Sequence, residues 1–335
     1  MFGNTGCYII AEAGVNHNGR LDIALKLCDA AKHSGADAVK FQTWKTENII
    51  TRNVEQARYQ KENTGVTESQ FDMLKKIELP YDDFAEIKKH CDDIGITFIS
   101  TADDSESLDF LVELGIPFIK IGSGDIGNIS YLKEIGSKKL PVVLSTGMSN
   151  LSDIDISLRA LKEGGATDIT LLHCTTSYPC PHDRVNMRAM NTLREAFHLP
   201  VGYSDHTIGP EAAIAAVTMG ACVIEKHFTL DCQMEGPDHL ASTEPGPFKD
   251  MIDSIRKTEE LLGNGIKEPT PEEKEISKVV TKRVVAYSSI ASGEVFSEAN
   301  ICVKRNDIGE LARDYYKVIG RKALKDYIPD EGIEV

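Results

Sequence analysis

The stretch CVIEKHFT (222–229) begins with apolar residues and ends with ionisable and hydroxyl-bearing ones, and seven similar stretches precede it. Packing explains why such runs begin with β-branched and apolar residues, but it does not explain their polar ends. In a parallel barrel the carboxyl ends of all strands meet around the active site, which accounts for both halves of the pattern. The other runs are YIIAEAG (8–14), AVKFQTW (38–44), TFISTA (97–102), FIKIGSGD (118–125), PVVLSTG (141–147), ITLLHCT (169–175) and PVGYSDH (200–206).

Segments with apolar residues at positions i, i+3 and i+4 lie between these runs, and many of them end on glycine, as helices often do. Eight strand-and-helix units in one stretch of chain predict an α/β fold of the (β/α)8 TIM barrel type. A doubly wound open sheet is the alternative, but the number of units and the lack of a GxGxxG turn favour the barrel. The predicted helices cover 21–35, 82–95, 105–115, 130–138, 152–165, 184–197, 209–220 and 249–263.

The composition of the chain changes after Gly263. Residues 264–280 contain two prolines and a Glu/Lys run, which is typical of a linker with some helical tendency. Residues 281–335 contain short apolar pieces separated by Gly and Pro, which predict a small β-rich domain. Because about 55 residues form only a marginal core, we expect this domain to dock on a larger one. The predicted organisation is therefore a barrel over 1–263, the linker and the small domain.

The connection after the second strand is unusually long. It covers residues 45–80 and carries helical pieces separated by polar turns. Because long loops at the carboxyl ends of barrel strands lie over the active site, we expect a lid or a contact surface here.

The overall charge argues against some broad classes of function. The chain has 335 residues with 37 Lys and Arg against 52 Asp and Glu, a formal net charge of −15, so we expect no nucleic-acid partner and no anionic-membrane partner. We see no signal peptide and no apolar run long enough to cross a membrane, and we expect a cytoplasmic protein. The eight cysteines form no CxxC pair, and we expect them to be small buried hydrophobic residues.

Two histidines stand at neighbouring strand ends. His206 ends the seventh run and His227 lies near the end of the eighth. A single strand histidine is usually structural, but two at adjacent strand ends can place both imidazoles on one cation. Two nitrogen ligands with open coordination positions suit Mn²⁺, Zn²⁺ or Fe²⁺ acting as a Lewis acid. His173, inside the sixth run, is a weaker candidate.

Two lysines form a second group. Lys40 and Lys120 lie in the second and fourth runs, where an unpaired buried ammonium group would be costly. They are either paired with carboxylates or bind the oxygens of a phosphate or carboxylate. The nearby Ser123 and Ser145 lie in glycine-rich turns, whose backbone N–H groups are expected to face an anion.

Four carboxylates stand at strand ends or just beyond them. Each is a candidate general base, a support for a metal ligand or an acceptor for sugar hydroxyls, and each also has a structural alternative such as helix capping. Together with the lysines and histidines, they indicate a reaction that joins a phosphorylated carbon nucleophile to a polarised carbonyl. The four are Glu12, Asp125, Asp205 and Asp238.

Many short motifs in this chain are similar to those of the sialic acid synthase family, which includes N-acetylneuraminate, legionaminate and pseudaminate synthases. The resemblance covers essentially the whole chain. Its end, SGEVFSEANICVKR (292–305), resembles the family's C-terminal antifreeze-like domain, the SAF domain, which has a β-clip fold. The other motifs are AEAGVNHNG (11–19), VKFQT (39–43), KIGSGD (120–125), LSTGM (144–148), LLHCTTSYPCP (171–181), GYSDHT (202–207), EKHFT (225–229) and GPDHLAS (236–242).

The resemblance implies a metal-dependent condensation of phosphoenolpyruvate with an N-acyl mannosamine-type sugar, with release of phosphate. It implies that His206 and His227 hold the metal, with Mn²⁺ preferred and Mg²⁺ or Co²⁺ as alternatives, and that Glu12 and Asp125 are catalytic carboxylates. It also implies a domain-swapped homodimer in which the SAF domain of one subunit covers the barrel of the other. The implied substrate-binding residues are Lys40, Gln42, Thr101, Lys120, Ser123, Ser145, Thr176, Tyr178, Asp238 and the SAF-domain residue Arg305.

Three positions depart from the family pattern. Asp125 stands where the family commonly has Glu after GSG, so this carboxylate is one methylene shorter. STADD (100–104) stands where neuraminate synthases often have STPF, and Thr176 stands where many bacterial ones have Asn. Segments between residues 45 and 80 resemble the legionaminate branch more closely. We therefore expect a legionaminate-type synthase, whose acceptor would be 2,4-diacetamido-2,4,6-trideoxy-mannose.

Several alternatives remain open from the sequence. An N-acetylneuraminate synthase would use N-acetylmannosamine instead, and another nonulosonate synthase is a third choice within the family. A metal-dependent barrel hydrolase also uses strand-end histidines, but it typically needs further ligands such as an HxH pair. A non-catalytic sugar- or ice-binding protein is indicated only by the antifreeze-like end of the chain.

Overall fold

Eight parallel strands form a closed barrel in the computed structural model, which describes residues 6–56 and 68–335. Each strand pairs with its neighbours in the chain, and β1 closes the barrel by pairing with β8. The predicted barrel is therefore confirmed, and the open doubly wound sheet is excluded. The strands are β1 Tyr8–Gly14, β2 Ala38–Thr43, β3 Thr97–Ala102, β4 Ile119–Ile121, β5 Val142–Ser145, β6 Ile169–Cys174, β7 Val201–Asp205 and β8 Val223–His227.

Helices follow the strands along the chain. Their apolar residues share one large buried cluster with the outward-facing residues of the strands, as expected for the outer layer of a barrel. Among residues 6–56 and 68–263, the α-helices are α1 Leu21–His33, α2 Thr46–Ile49, α3 Gln70–Ile77, α4 Tyr81–Ile94, α5 Ser105–Leu114, α6 Ile129–Ser137, α7 Leu151–Gly164, α8 Ala189–Phe197, α9 Glu211–Thr218 and α10 Pro245–Leu262.

Local sequence sets the ends of these helices. The side chain of Asp104 accepts a hydrogen bond from the first turn of α5 and so fixes where that helix begins. Helix α4 ends at Gly95, whose φ of 72° is a left-handed conformation that glycine adopts at little cost. The predicted helix 184–197 begins only at Ala189, because Asn186 has a φ of 49° and interrupts the regular backbone.

The long connection after β2 contains α2 and α3. Residues 57–67, inside the segment predicted to form a lid, lie outside the described residues. The lid therefore stays a prediction.

The barrel interior is built in layers, because alternate residues of each strand point inward. The lowest layer is apolar and forms a buried cluster of its own, separate from the residues that face the helices. On β7 this layer contains Gly202, where a Cβ would come within 2.4 Å of the carbonyl oxygen of Val223. This apolar layer is the floor below the polar ends of the strands. The floor residues are Ile10, Ala38, Ile99, Phe118, Val143, Leu172 and Val223.

A second compact unit covers Asn264–Val335, after a first unit that ends at Gly263. In this unit β9 (Lys282–Ala286) and β10 (Ile301–Arg305) pair in antiparallel fashion, and the unit has a hydrophobic core of its own. It also contains two short helices, and every residue of the first of them is exposed. They are α11 Pro271–Val280, inside the predicted linker, and α12 Tyr315–Val318.

All eight cysteines are free thiols, and most of them are buried. This is consistent with a role as small hydrophobic residues. Among the described residues, no helix has both the length and the apolar character needed to cross a membrane.

Candidate active site

A polar cavity of about 190 Å³ opens at the carboxyl ends of the barrel strands. Its lower wall is the layer of side chains directly above the apolar floor, two residues further along each strand. The cavity brings together most of the residues that the sequence predicted for substrates and metal. They are Glu12, Lys40, Gln42, Thr101, Lys120, Ser123, Ser145, Thr176, Tyr178, His206 and His227.

Lys40 and Lys120 share one carboxylate in this layer. Nζ of Lys40 is 3.8 Å from one oxygen of Glu225, and Nζ of Lys120 is 3.3 Å from the other. Lys40 also forms an ion pair with Glu12, at 2.8 Å. Because all four side chains are buried, two ammonium groups and two carboxylates balance one another away from bulk water.

Hydroxyl groups complete the charged cluster. Nζ of Lys120 donates a hydrogen bond to Oγ of Ser145 at 2.9 Å, and Nζ of Lys40 donates one to Oγ1 of Thr101 at 3.2 Å. Two cations with neighbouring hydroxyls suit the oxygens of a phosphate or a carboxylate. We call Lys40, Lys120 and the side chains around them the lysine half of the cavity.

The charges of the cluster shift one another's pKa. Burial favours the neutral form of Glu225, but Lys120 and Lys40 outweigh it and hold the pKa of this carboxyl well below its usual range. At Glu12 burial dominates and raises the pKa, despite the ion pair with Lys40. Burial also lowers the pKa of Lys120. Glu225 is therefore the firmly ionised partner of the two lysines.

His206 and His227 lie side by side, with their ring centroids 5.4 Å apart. With Nδ1 of His206 protonated, this nitrogen donates to the carbonyl oxygen of Thr175 at 2.8 Å and leaves Nε2 with a lone pair. Nδ1 of His227 is buried and has no hydrogen-bond partner within the described ranges. Burial, and then the charges of His206 and Lys40, lower the pKa of His227 well below its ordinary value. Two buried imidazoles of this kind fit a divalent cation. We call His206, His227 and the side chains around them the histidine half of the cavity.

Residues 6–56 and 68–335 contain no group of three or more His, Cys, Asp or Glu side chains that could hold a metal. A cation on the two histidines would take its other ligands from water or substrate, as catalytic metal ions often do. The ring of Tyr178 packs against the pair, with its centroid 4.2 Å from that of His206 and 5.6 Å from that of His227.

Asp238 lies beside this cavity. It lines a neighbouring cavity of about 200 Å³ together with Gln42, Tyr178 and His227, which line the first cavity as well. Burial and then the carboxylate of Glu12 raise the pKa of Asp238 to about 6. Asp238 is therefore within the same polar region as the histidine half.

The loop that carries Asp238 is tied to the loop after β1. Nδ2 of Asn16 donates to Oγ of Ser242 at 2.9 Å, and Ser242 in turn donates to the backbone carbonyl of Asp238 at 2.7 Å. Nδ2 of Asn18 donates to the backbone carbonyl of Glu235 at 2.8 Å. Asn16 and Asn18 thus hold the loop that carries Asp238, a predicted substrate-binding residue, although this loop lies more than 200 residues later in the sequence.

Three residues that the sequence predicted as candidates for the site do not line this cavity. Asp125 lies in a 3₁₀ turn, accepts a hydrogen bond from Asn128 at 3.0 Å and is not among the residues that line the cavity. Asp205, one of the candidate bases, is buried on the outer side of the barrel in an ion pair with Lys226 at 2.6 Å, so its role there is structural. Arg305 belongs to the second unit, where it ends β10.

The two glycine-rich turns approach one another closely. The backbone N–H of Gly147 donates to Oγ of Ser123 at 2.9 Å. The expectation that the N–H groups of these two turns face an anion stays a prediction. A Cβ at Gly147 would come within 2.3 Å of Oγ1 of Thr176 and 2.8 Å of Oγ of Ser123, so a larger residue here would displace both side chains.

Glu225 was not predicted as a site residue, although the sequence contains its signal. It stands two residues before His227 on the same strand, so both side chains face the same side. The same rule applies to Ser204, which stands two residues before His206 and donates to Glu225 at 3.0 Å. Cys174 lies directly above the floor on β6 and also lines the cavity.

A family model described as "NeuB family" matches residues 27–267 of this chain. The chain belongs to the NeuB family. Among NeuB relatives, the N,N'-diacetyllegionaminic acid synthase of Campylobacter jejuni subsp. jejuni serotype O:2 is 48% identical over 325 residues, which cover 96% of this chain and 97% of the relative. The protein of the same name from Legionella pneumophila subsp. pneumophila is 43% identical over 320 residues, which cover 94% and 90%.

One solved structure with the same fold belongs to a protein that is named for a different sugar. The N-acetylneuraminic acid (sialic acid) synthetase from Leptospira borgpetersenii serovar Hardjo-bovis, crystallised in complex with citrate, aligns with a TM-score of 0.72 at 34% identity. The alignment covers 82% of this chain and 91% of that one. Because the NeuB fold is shared by proteins named for different sugars, membership of the family does not by itself identify the acceptor.

Proposed function

We propose that this chain condenses phosphoenolpyruvate with 2,4-diacetamido-2,4,6-trideoxy-mannose and water and releases phosphate, which is the reaction of an N,N'-diacetyllegionaminate synthase. The observation that carries the proposal is a single cavity that combines two buried lysines with two buried histidines. Identities of 48% and 43% to proteins of that name support this acceptor. An N-acetylneuraminate synthase, which uses N-acetylmannosamine, is the alternative, and the structural neighbour named for that sugar is 34% identical.

The lysine half would hold phosphoenolpyruvate. Lys40 and Lys120 supply positive charge for its phosphate and carboxylate groups, and the hydroxyls of Thr101 and Ser145 already contact the two ammonium groups. Glu225 keeps both lysines in place before the substrate arrives. A substrate fixed in this way would have its C3 carbon directed toward the histidine half, which lines the same cavity.

The histidine half would receive the open-chain amino sugar. His206 and His227 would hold a divalent cation, with Mn²⁺ in first place and Mg²⁺ or Co²⁺ as alternatives, and such an ion polarises the aldehyde oxygen when it is bound. Tyr178, Gln42 and Asp238 line the adjoining wall, where the polar groups of the sugar would lie.

The bond changes and proton transfers follow from this arrangement. C3 of phosphoenolpyruvate forms a bond to the aldehyde carbon. The aldehyde oxygen takes a proton that Lys40 passes through its ion-pair partner Glu12, which pairs with His227 in the strand register. The positive centre left at C2 accepts a water molecule, which gives up a proton. The hydroxyl left on C2 then loses its proton as the C2=O bond forms, and the bond between C2 and the phosphate oxygen breaks with its electron pair on phosphate. One proton of the water goes to the leaving phosphate, and the other replaces the proton that the aldehyde oxygen took.

The second unit would complete the site in a dimer. From the sequence resemblance, we propose that the region after Asn264 contains a SAF domain and that its Arg305 reaches the N-acyl group of a sugar bound by the partner subunit. Arg305 is exposed at the end of β10, so its guanidinium group is available for such a contact. The assembly would be a domain-swapped homodimer.

Phosphate release from phosphoenolpyruvate tests the proposal. The purified protein with Mn²⁺ is given phosphoenolpyruvate alone, with the diacetamido sugar, or with N-acetylmannosamine. We expect release with the diacetamido sugar to be at least about tenfold faster than with N-acetylmannosamine, and we expect none without a sugar. Preference for N-acetylmannosamine would support the neuraminate alternative, and release without a sugar would indicate a hydrolase.

A further inference from the structure

The segment STADD (100–104) contains two adjacent aspartates with very different surroundings. Asp104 accepts hydrogen bonds from the backbone N–H groups of Lys45 and Ser107, at 2.8 and 2.9 Å, and from Oγ of Ser107 at 2.8 Å. It caps α5 and is a structural residue. Asp103, one residue earlier, is half-buried and lines the polar cavity.

Strand alternation explains the position of Asp103. It stands two residues beyond Thr101, which pairs with Lys120 across β3 and β4, so it lies above the lysine half. Its carboxylate has no hydrogen bond or ion pair with any other residue in the described ranges. A carboxylate that faces a cavity without a partner costs stability, and such groups are typical of functional sites.

We propose that Asp103 is the general base for the water that adds to C2 of phosphoenolpyruvate. This role rests on the proposed function. A lone pair of the water oxygen forms the bond to C2, one O–H bond of the water breaks, and the proton passes to a carboxylate oxygen of Asp103. The remaining O–H bond on C2 then breaks, its electron pair forms the C2=O bond, and the bond between C2 and the phosphate oxygen breaks with its electron pair on phosphate. Asp103 gives its proton to the leaving phosphate, and the second proton of the water replaces the one that the aldehyde oxygen took.

The environment gives Asp103 a suitable proton affinity. Burial, and then the carboxylate of Asp125, raise the pKa of Asp103 to about 7, while Lys40 acts in the opposite direction. Asp104 and Glu12 are the other charged groups that act on it, and both raise its pKa. A base with a pKa near neutrality can both accept and return a proton at the working pH.

The other carboxylates near the lysine half are less suited to this step. Glu12 forms an ion pair with Lys40, and the two oxygens of Glu225 face the two lysines. Asp125 is not on the cavity wall. The carboxylate of Asp103 therefore has free oxygens that face the cavity, whereas Glu12 and Glu225 are engaged and Asp125 does not line the cavity.

The test compares Asp103→Asn with the conservative Asp103→Glu. Asp103→Asn should lower kcat by about 100-fold or more, while KM for phosphoenolpyruvate changes by less than about threefold. Asp103→Glu should recover part of the rate. The rise of kcat/KM of the wild-type protein through pH 7 should disappear in Asp103→Asn. The matched control Glu106→Gln, at an exposed position in the first turn of α5, should behave like the wild type.

Each variant is first shown to fold and bind by the rise in melting temperature that phosphoenolpyruvate produces. If Asp103→Asn keeps its kcat within about threefold of the wild type with an unchanged pH profile, the role of Asp103 is overturned. It is also overturned if Asp125→Asn loses more activity than Asp103→Asn. A wild-type protein that releases no phosphate with either sugar contradicts the proposed function and, with it, this role.

Discussion

Nζ of Lys120 lies 3.3 Å from Oε1 of Glu225 at the bottom of the polar cavity, and both side chains are buried. The other oxygen of Glu225 is 3.8 Å from Nζ of Lys40, whose closest partner is Glu12. The charges of the ligand-free site are thus balanced. An anionic substrate enters a site whose two cations are already held in place.

Glu225→Gln should destabilise the ligand-free protein by about 3–5 kcal/mol, because a buried ammonium group loses its partner. Phosphoenolpyruvate should offset part of this loss, since its negative charges replace the missing carboxylate. Thermal unfolding should therefore show a lower Tm but a larger ligand-induced rise in Tm than in the wild type. The exposed control Glu195→Gln should change stability by less than about 0.5 kcal/mol. A ligand-induced rise equal to or smaller than that of the wild type would contradict the balanced site.

Asp103 should lower the stability of the protein as the pH rises. Burial and Asp125 raise its pKa from 3.8 to about 7, so the folded state holds this proton more tightly than the unfolded chain. The stabilising contribution is full below about pH 4 and is lost as the pH rises through 7. Asp103→Asn should therefore raise the Tm at pH 8 by a few degrees, and the difference should shrink toward pH 4. If Asp103→Asn instead had a lower Tm than the wild type at pH 8, the claim that the Asp103 carboxylate lacks a stabilising partner would be contradicted.

Removal of divalent cations should stop phosphate release. Chelation should inactivate the wild type, and excess Mn²⁺ should restore it, because the ion polarises the carbonyl that is attacked. A variant that combines His206→Ala with His227→Ala should stay inactive in excess Mn²⁺. His33→Ala, an exposed position on α1, serves as the matched control. A near-normal rate of the double variant would exclude the histidine half as a metal site.

Mixing two inactive variants tests whether Arg305 acts in the partner subunit. Arg305→Ala keeps an intact barrel, and His227→Ala keeps an intact arginine. In a domain-swapped homodimer, each mixed dimer contains one complete site, so an equal mixture after subunit exchange should recover about one quarter of the wild-type activity. No recovery, despite mass-spectrometric evidence of mixed dimers, would show that the arginine does not act across subunits.

The barrel and the lysine half could be predicted from strand alternation. Lys40 and Lys120 each stand two residues after an apolar residue that points into the barrel, so the floor and the polar layer above it follow from one rule. The same rule finds Glu225, and it places Asp205 on the outer side because Asp205 is one residue away from His206. The positions of Glu225 inside the barrel and of Asp205 outside it therefore both follow from the alternation of strand residues.

Other features of the site could not be predicted from the sequence. The contacts of Glu225 with Lys40 and Lys120 cross the barrel interior, and such contacts depend on the tilt and stagger of the strands. The position of Asp125 depends on the 3₁₀ turn that follows β4, which no strand or helix period specifies. The unpartnered carboxylate of Asp103 depends on loop geometry, because the N–H groups of Lys45 and Ser107 and the hydroxyl of Ser107 donate to its neighbour Asp104 instead.

The origin of the oxygens in the released phosphate tests the central claim most directly. Addition of water at C2 breaks the carbon–oxygen bond of phosphoenolpyruvate, whereas simple hydrolysis by attack at phosphorus breaks the phosphorus–oxygen bond. The reaction with the diacetamido sugar is run in ¹⁸O-labelled water, and the phosphate is analysed by mass spectrometry. The condensation proposed for this cavity predicts phosphate without ¹⁸O. Phosphate that carries one ¹⁸O atom would contradict it.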